Sequence, residues 1–582
     1  MKKHIENVKV FKYSMIIILS YVIMLCLCNF VSGGGESFSL DKSYKIFIII
    51  GLFIVHGLVY KNKMFYLLNV LCLGISYLSI IYIKVNVEEK MQINEVYTYL
   101  IFSFAVLNLL LLVISFINKG RIIISILLLL AIYSPILLFW SYYSITHTMF
   151  NSAALLAILQ TNITESIAYI KDFSSVFNYV FICLFLVVMI AIAINLKNLY
   201  IKKGLTVFLL VICMVDIFFI CKCKDNILLN VFKQANASVA EYEKFKDKTK
   251  QRQENIKSML SINENNNDNG VYVIVIGESQ NKKHMSAYGY DKETTPWLDK
   301  IKTDNNFILF EKAYSCHTHT VPNLTYALTA KNQYNNLKME KSPSIIEVAN
   351  LAGYDTVWLS NQVQYSAWDT PITIIADGAN QQKWINSNLG ETTKTNFYDI
   401  KLIEALNEID LSKKMLIVIH LMGNHGSYED RYPNDFNNFK GETGTYDNSI
   451  LYNDYVMSNI YRKVKTIPNF KALIYFSDHS EAVNEKLGHD SSNFRFSMTY
   501  IPMYMYFSDT YIKDNHDIVE TLQNSKNKYI TNDLIFNTVL GVMNIQLNDI
   551  YEPQNDITNI EYDSEKNRFK TLYGEKFIYE DK

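Results

Sequence analysis

The stretch YSCHTHTVPNLTYAL, residues 314–328, holds Cys316, His317, Thr318, His319, Thr320 and Thr325. Each of these residue types can be a nucleophile, a metal ligand or ordinary filler. Further candidates stand elsewhere: Glu278 follows the apolar run VYVIVIG, and Asp478-His479 follows ALIYFS. Two carboxylates and an imidazole suit zinc or manganese, and three protein ligands leave a coordination position open, as a catalytic metal requires. THTVPNLTYALT reads as a helix start, with Pro322 in the first turn, where its missing N–H costs nothing. Thr320 at the N-cap would have free N–H groups beside it, which favour phosphate. A hydroxyl there that also touches a divalent cation ionises more readily and can attack phosphorus. Thr318 is the local rival, Thr325 reads as helix interior, and His317 and His319 read as flanking surface histidines. His425 in GNHGSY and His489 in LGHDSS lie beside glycine in loops. There an imidazole can hold a phosphate, shuttle a proton or only brace its loop.

These residues need a frame. Apolar runs of strand length, VYVIVI at 271, TVWLS at 356, MLIVIHL at 415, ALIYF at 472 and MYMYF at 503, alternate with longer helical patterns. Runs buried on both faces and separated by helices predict an α/β domain with a largely parallel central sheet. Sites in such folds lie beyond the carboxyl ends of the strands. Four of the runs lead into Gly277-Glu278-Ser279, Ser360-Asn361-Gln362, His420 with Gly423-Asn424-His425-Gly426, and Ser477-Asp478-His479. The polar and metal-competent residues recur at the expected end.

Half of the chain is apolar and 19% charged, and the two are segregated. Before about Cys221 the chain reads as seven candidate membrane spans, at 14–32, 46–60, 64–83, 96–117, 122–140, 177–196 and 204–221. With the N-terminus inside, eleven Lys and Arg fall in the inner segments and five in the outer loops, which puts everything after Cys221 outside the cytoplasmic membrane. The expected organisation is a transmembrane domain over 1–222, a charged surface helix and linker over 223–269, and an outer catalytic domain over 270–582. A net charge of -1 gives no reason to expect nucleic acid as a partner. Seven of the eight cysteines lie in or beside the membrane part, so Cys316 has no partner in the outer domain and reads as a small buried residue.

The blocks VIVIGESQNKKHMSAYGYDKETTPWL, SCHTHTVPNLTYALT, IHLMGNHGSYEDRYP, YDNSILYNDYV and YFSDHSEAV with LGHD, in this order, resemble the lipid-dependent phosphoethanolamine transferases of the alkaline-phosphatase superfamily. The resemblance covers essentially the whole outer domain; in the membrane part only ILQTNITESIAYI, 158–170, takes part. It implies that Glu278, Asp478 and His479 are zinc ligands and that Thr320 is the nucleophile and also a zinc ligand. It further places His425 and His489 on the family's substrate-binding and proton-transfer histidines, and Asn361 on its headgroup pocket. Phosphatidylethanolamine would be the donor, and phosphoethanolamine would pass through Thr320 to an envelope acceptor: lipid A, a lipopolysaccharide core sugar or another glycan. Several members use the cysteine matching Cys316 in a disulfide, so its isolation here points to a branch with a different acceptor, a protein among the options. Zinc is the expected metal, with manganese as the alternative. A phosphoglycerol transferase of the lipoteichoic-acid synthase type would use a similar scaffold, but YGYDKETTP and YDNSILYNDYV resemble the ethanolamine branch. A sulfatase would need Cys or Ser in a Cys-x-Pro-x-Arg setting, whereas Thr320, Pro322 and Leu324 stand here. An inactive membrane-anchored binding protein would have lost one of Glu278, Thr320, Asp478 or His479, and all are present.

Overall fold

The computed structural model describes residues 57–581 apart from 58, 62, 87–92, 118–119, 147–148, 161–175, 197–199, 202–205, 224–225, 262–269, 363–369, 387–397 and 486. The chain divides into two compact units, one of Met1–Leu155 with Phe173–Ala235, the other of Leu156–Asp172 with Asn236–Lys582.

In the first unit the apolar runs form helices Lys63–Asn86, Ile93–Phe116, Arg121–Thr146, Val176–Leu196 and Thr206–Lys222. These fall on the spans expected from 64 onward. The expected span 14–32 and nearly all of 46–60 lie outside the described residues. Among the described residues two helices, Thr98–Phe116 and Asn178–Leu196, are long and apolar enough to cross a membrane. Arg121–Thr146 makes a third if its two halves, bent by 42°, count as one span. Pro135 explains the bend, because it has no N–H for the carbonyl four residues earlier, at position 131 where the halves meet.

The second unit is built on a seven-stranded sheet. Its strands are β1 (Val271–Gly277), β2 (Phe307–Phe310), β3 (Asp355–Ser360), β4 (Gln381–Trp384), β5 (Met415–His420), β6 (Phe470–Ser477) and β7 (Met503–Phe507), in spatial order β2-β7-β6-β1-β5-β3-β4. Only the pairings of β7 with β6 and β2 are antiparallel, so β7 alone runs against the rest. Every residue of β1 and β5 is buried, because helices cover both faces of the sheet. The edge strands β2 and β4 escaped the sequence reading. QQKW carries no apolar signature, as an edge strand needs none.

The boundary between units falls inside the helix Ile227–Asp247, so most of the charged segment belongs with the sheet domain. Helix Thr249–Met259 is not a plainly solvated helix. Arg252 is buried, pairs with Glu347 Oε1 at 3.0 Å, stacks on Phe245 and donates to the Phe245 carbonyl. Glu347 is itself held by the capping box that Ser344 makes at the start of helix Ile345–Leu351. Leu260–Ser261 then pairs antiparallel with Gln546–Leu547.

Arg252→Ala leaves Glu347 buried without its cation, and thermal unfolding of the purified protein should show this domain destabilised by about 3–5 kcal/mol. A second expectation concerns Lys282, whose buried ammonium donates to the Glu311 and Ala313 carbonyls. Burial pulls its pKa from 10.5 down to about 7. Between those values the unfolded chain holds a proton that the folded chain lacks, so this group's contribution to stability rises with pH across the window and is lost as pH falls through 7. Unfolding measured at several pH values should show a smaller rise from 7 to 10.5 for Lys282→Met than for the wild type.

Candidate metal and nucleophile site

Parallel pairing puts Gly277 of β1 opposite Ser477 of β6, so the next residue on each strand, Glu278 and Asp478, emerge side by side. Both are buried, as is His479. One ligand atom from each of Glu278, Asp478 and His479 lies within 4.8 Å of the others. His479 Nε2 stands 3.2 Å from Glu278 Oε1 and 3.5 Å from Asp478 Oδ2. Its Nδ1 donates to the Ser480 carbonyl at 3.1 Å, which makes Nε2 the ring nitrogen that faces the carboxylates.

Burial alone would raise both carboxyl pKa values. The neighbouring His479 nevertheless holds Glu278 well below the carboxylate range. Asp478, also buried and facing the Glu278 charge, is pushed well above it. Two adjacent buried carboxylates cannot both ionise without a cation between them. Asp478 Oδ2 is moreover buried with no hydrogen-bond partner. The donor set, the orphaned oxygen and the Nε2 turned toward both carboxylates fit a divalent metal held by Glu278, Asp478 and His479.

Thr320 completes the group. Its Oγ1 donates to Glu278 Oε2 at 3.1 Å and lies 3.4 Å from His479 Nε2. It is the first residue of helix Thr320–Ala327; His319, not Thr320, is the N-cap and supplies no side-chain cap. Its first turn carries only the N–H groups of Thr320 and Val321 beyond the helix's own bonds, since Pro322 has none and Asn323 N donates to the His319 carbonyl. Asn532 bridges the two parts of the site, donating to the Asp478 carbonyl at 2.6 Å and accepting from Cys316 N at 2.8 Å. Cys316 is buried and unpaired.

His489 Nδ1 contacts Glu481 Oε1 at 2.8 Å, and its ring lies 4.4 Å from that of His479. Burial would raise Glu481, but the His489 contact brings it below the usual carboxylate range. His425 acts electrostatically on both Glu278 and Glu481. His317 and His319 are not surface histidines. His317 is only 9% exposed, its ring lies 5.4 Å from His319, and His319 lies 5.4 Å from His489. Asn361 is fully buried and its side chain is committed, donating to Asp399 Oδ1 at 2.8 Å and accepting from Asn386 Nδ2 at 3.1 Å. As it stands it positions the loops around the pocket and presents no free amide to it. Asp399 also accepts from Met422 N and Gly423 N, both at 2.8 Å, which fixes the loop carrying His425.

The supporting role of the next residues cannot be read from residue type or spacing. Ser279, in the left-handed region at φ 56°, donates its Oγ to Glu278 Oε1 and its N–H to Asp478 Oδ1. Helix Gly444–Val464, which begins the block YDNSILYNDYV, braces the first block. Tyr446 donates to the Ser279 carbonyl, Asp447 pairs with His284, Asn453 accepts from Gln280 Nε2, and Asp454 accepts from Trp297 N and Leu298 N.

Residues 271–545 match the Sulfatase family model. With its mostly parallel sheet, the second unit is an α/β domain of the sulfatase and alkaline-phosphatase type, preceded in the chain by an α-helical transmembrane domain. The resemblance of its sequence blocks to phosphoethanolamine transferases is borne out by relatives. Phosphoethanolamine transferase EptC of Escherichia coli strain RS218 is 34% identical over 244 residues, 39% of this chain and 42% of its own length. Phosphoethanolamine transferase EptA of Helicobacter pylori is 28% identical over 299 residues, 48% of this chain and 54% of its own length. The chain thus spans about half the length of the curated relatives it matches. The integral membrane protein lipooligosaccharide phosphoethanolamine transferase A of Neisseria meningitidis shares the fold, with a TM-score of 0.52 at 19% identity over 80% of this chain and 97% of that one.

Gly423 gives a direct probe of the site. It sits at φ +53°, and a Cβ there would lie 2.8 Å from the Glu278 backbone N and O. Gly423→Ala should push Glu278 out of line and weaken zinc binding about 10- to 100-fold in a competition titration, the range typical of a damaged supporting contact. Asp478→Asn should weaken it further, because it removes a negative charge from the candidate ligand set.

Proposed function

We propose that this protein transfers phosphoethanolamine from phosphatidylethanolamine to a cell-envelope glycolipid or glycan through a covalent phosphoethanolamine-Thr320 intermediate. The observation that carries this reading is the Thr320 hydroxyl, at a helix N-terminus and within hydrogen-bond reach of a buried Glu278, Asp478 and His479 cluster. Zinc, with manganese as the alternative, would be held by Glu278, Asp478, His479 and Thr320, and would supply the positive charge that favours an ionised threonine.

The protein's own groups account for the remaining needs. Glu278 accepts the Thr320 hydroxyl hydrogen bond. The first-turn N–H groups of helix Thr320–Ala327 face the negative charge of a phosphoryl group. In the first step the Thr320 oxygen bonds to phosphorus, the bond from phosphorus to the diacylglycerol oxygen breaks, and that oxygen takes a proton. In the second step an acceptor hydroxyl or phosphate displaces Thr320 from phosphorus. His489, oriented by Glu481, and His425 would hold the phosphate and move the proton. A multi-pass anchor in the inner membrane, with the domain from about 270 onward on the outer side, would bring this site to its lipid donor. The lysine and arginine bias supports that orientation.

The test is the mass of the Thr320-containing peptide after the zinc-loaded full chain meets phosphatidylethanolamine, with phosphatidylglycerol and Thr320→Ala as controls. A phosphoethanolamine adduct that vanishes in the mutant is the expected result. An adduct from phosphatidylglycerol alone would instead make the protein a phosphoglycerol transferase, and zinc binding with neither adduct nor lipid turnover would favour a binding protein.

A further inference from the structure

Residues beyond 545 lie outside the match to the family model, yet one of them reaches the nucleophile segment. Lys570–Thr571 and Lys576–Phe577 form a short antiparallel pair, and the turn between them is unusual. Leu572, Tyr573 and Gly574 stand in succession at φ 50°, 55° and 97°. Glycine accepts that conformation freely, but leucine and tyrosine do not. Two such residues in a row persist only where surrounding contacts hold them.

Those contacts converge on the residues flanking Thr320. Tyr573 N donates to the Cys316 carbonyl at 3.4 Å. Its hydroxyl donates to the Pro322 carbonyl at 2.9 Å, and its ring stacks on Tyr326 at 4.3 Å and leans on His317 at 5.1 Å. The tail therefore grips the segment on both sides of Thr320. On the inner side Asn323 does the same, donating to the His317 and His319 carbonyls and accepting from His317 N. The helix between them is short and has no side-chain cap of its own, so its first turn depends on these two clamps.

We propose that Tyr573 is a positioning residue for Thr320: its hydroxyl on Pro322 and its ring on His317 and Tyr326 hold the nucleophile in line for attack. This rests on the covalent Thr320 reading above. A hydroxyl nucleophile gains most of its rate from placement, so loosening the clamp lowers the rate of attack and leaves lipid affinity alone. Because Thr320 is also the leaving group in the second step, both half-reactions slow together.

The experiment uses the zinc-loaded full chain with Tyr573→Phe and Tyr573→Ala. Phenylalanine keeps the ring on Tyr326 and His317 and removes only the bond to Pro322. Single-turnover loading of Thr320 from phosphatidylethanolamine should slow about three- to tenfold in Tyr573→Phe, and more in Tyr573→Ala, with half-saturating lipid unchanged. Amide hydrogen exchange over residues 316–323 should rise while the rest of the domain keeps its protection. Unchanged loading and exchange would overturn the proposal. A change in half-saturating lipid at constant rate would also overturn it, by marking a lipid contact, as would loss of zinc and thermal stability in Tyr573→Phe, by marking a purely structural role. Should the wild type load from no lipid, the proposed function fails, and the exchange comparison alone still decides whether Tyr573 clamps the segment.

Discussion

Two buried carboxylates side by side set the terms for the rest of this domain. The pairing of Gly277 with Ser477 makes Glu278 and Asp478 neighbours, and the sheet gives neither access to bulk water. Such an arrangement is unfavourable unless a cation, a proton or a dense set of donors offsets it. Much of the surrounding polar structure does so: Ser279 N and His479 N both donate to Asp478 Oδ1, and Ser279 Oγ and Thr320 Oγ1 divide the two Glu278 oxygens between them. The Thr320 hydroxyl is thus drawn to the cluster by the same deficit of positive charge that a metal would offset.

The residues that make the sequence recognisable are mostly not the reacting ones. Tyr446, Asp447, Asn453 and Asp454 fasten one helix to the loop leaving β1, and Asn424 Nδ2 reaches Ser449 to include the His425 loop. Buried polar networks of this kind fix one arrangement because each partner is costly to leave unsatisfied. The blocks are accordingly a record of how the pocket is held in shape, more than of what it binds.

This distinction explains what the sequence made legible. The central strands β1, β3, β5, β6 and β7 could be read as apolar runs, Glu278, Asp478 and His479 from what stands beyond them, and Thr320 from the helix start at Pro322. The edge strand QQKW could not, since its pairing with β3 depends on position and not on composition. His317 reads as a surface residue because a ring that packs on it, Tyr573, stands more than two hundred and fifty positions away. The charged helix Thr249–Met259 reads as a surface helix for the same reason, as only the folded domain brings Glu347 to Arg252. Asn361 could be located but not interpreted, because its committed amide depends on Asp399.

Consider finally the short pairing of Leu260–Ser261 with Gln546–Leu547, and of Lys312–Tyr314 with Tyr529–Thr531. Both join early parts of the domain to its last stretch. A chain that emerges N-terminus first can build helices as it appears, but it cannot close these contacts until the end arrives. Asn532, which ties Cys316 to the carbonyl of Asp478, comes equally late. Thr320 therefore gains its setting only when synthesis of the domain is nearly complete, and a chain still lacking its last stretch has no assembled site.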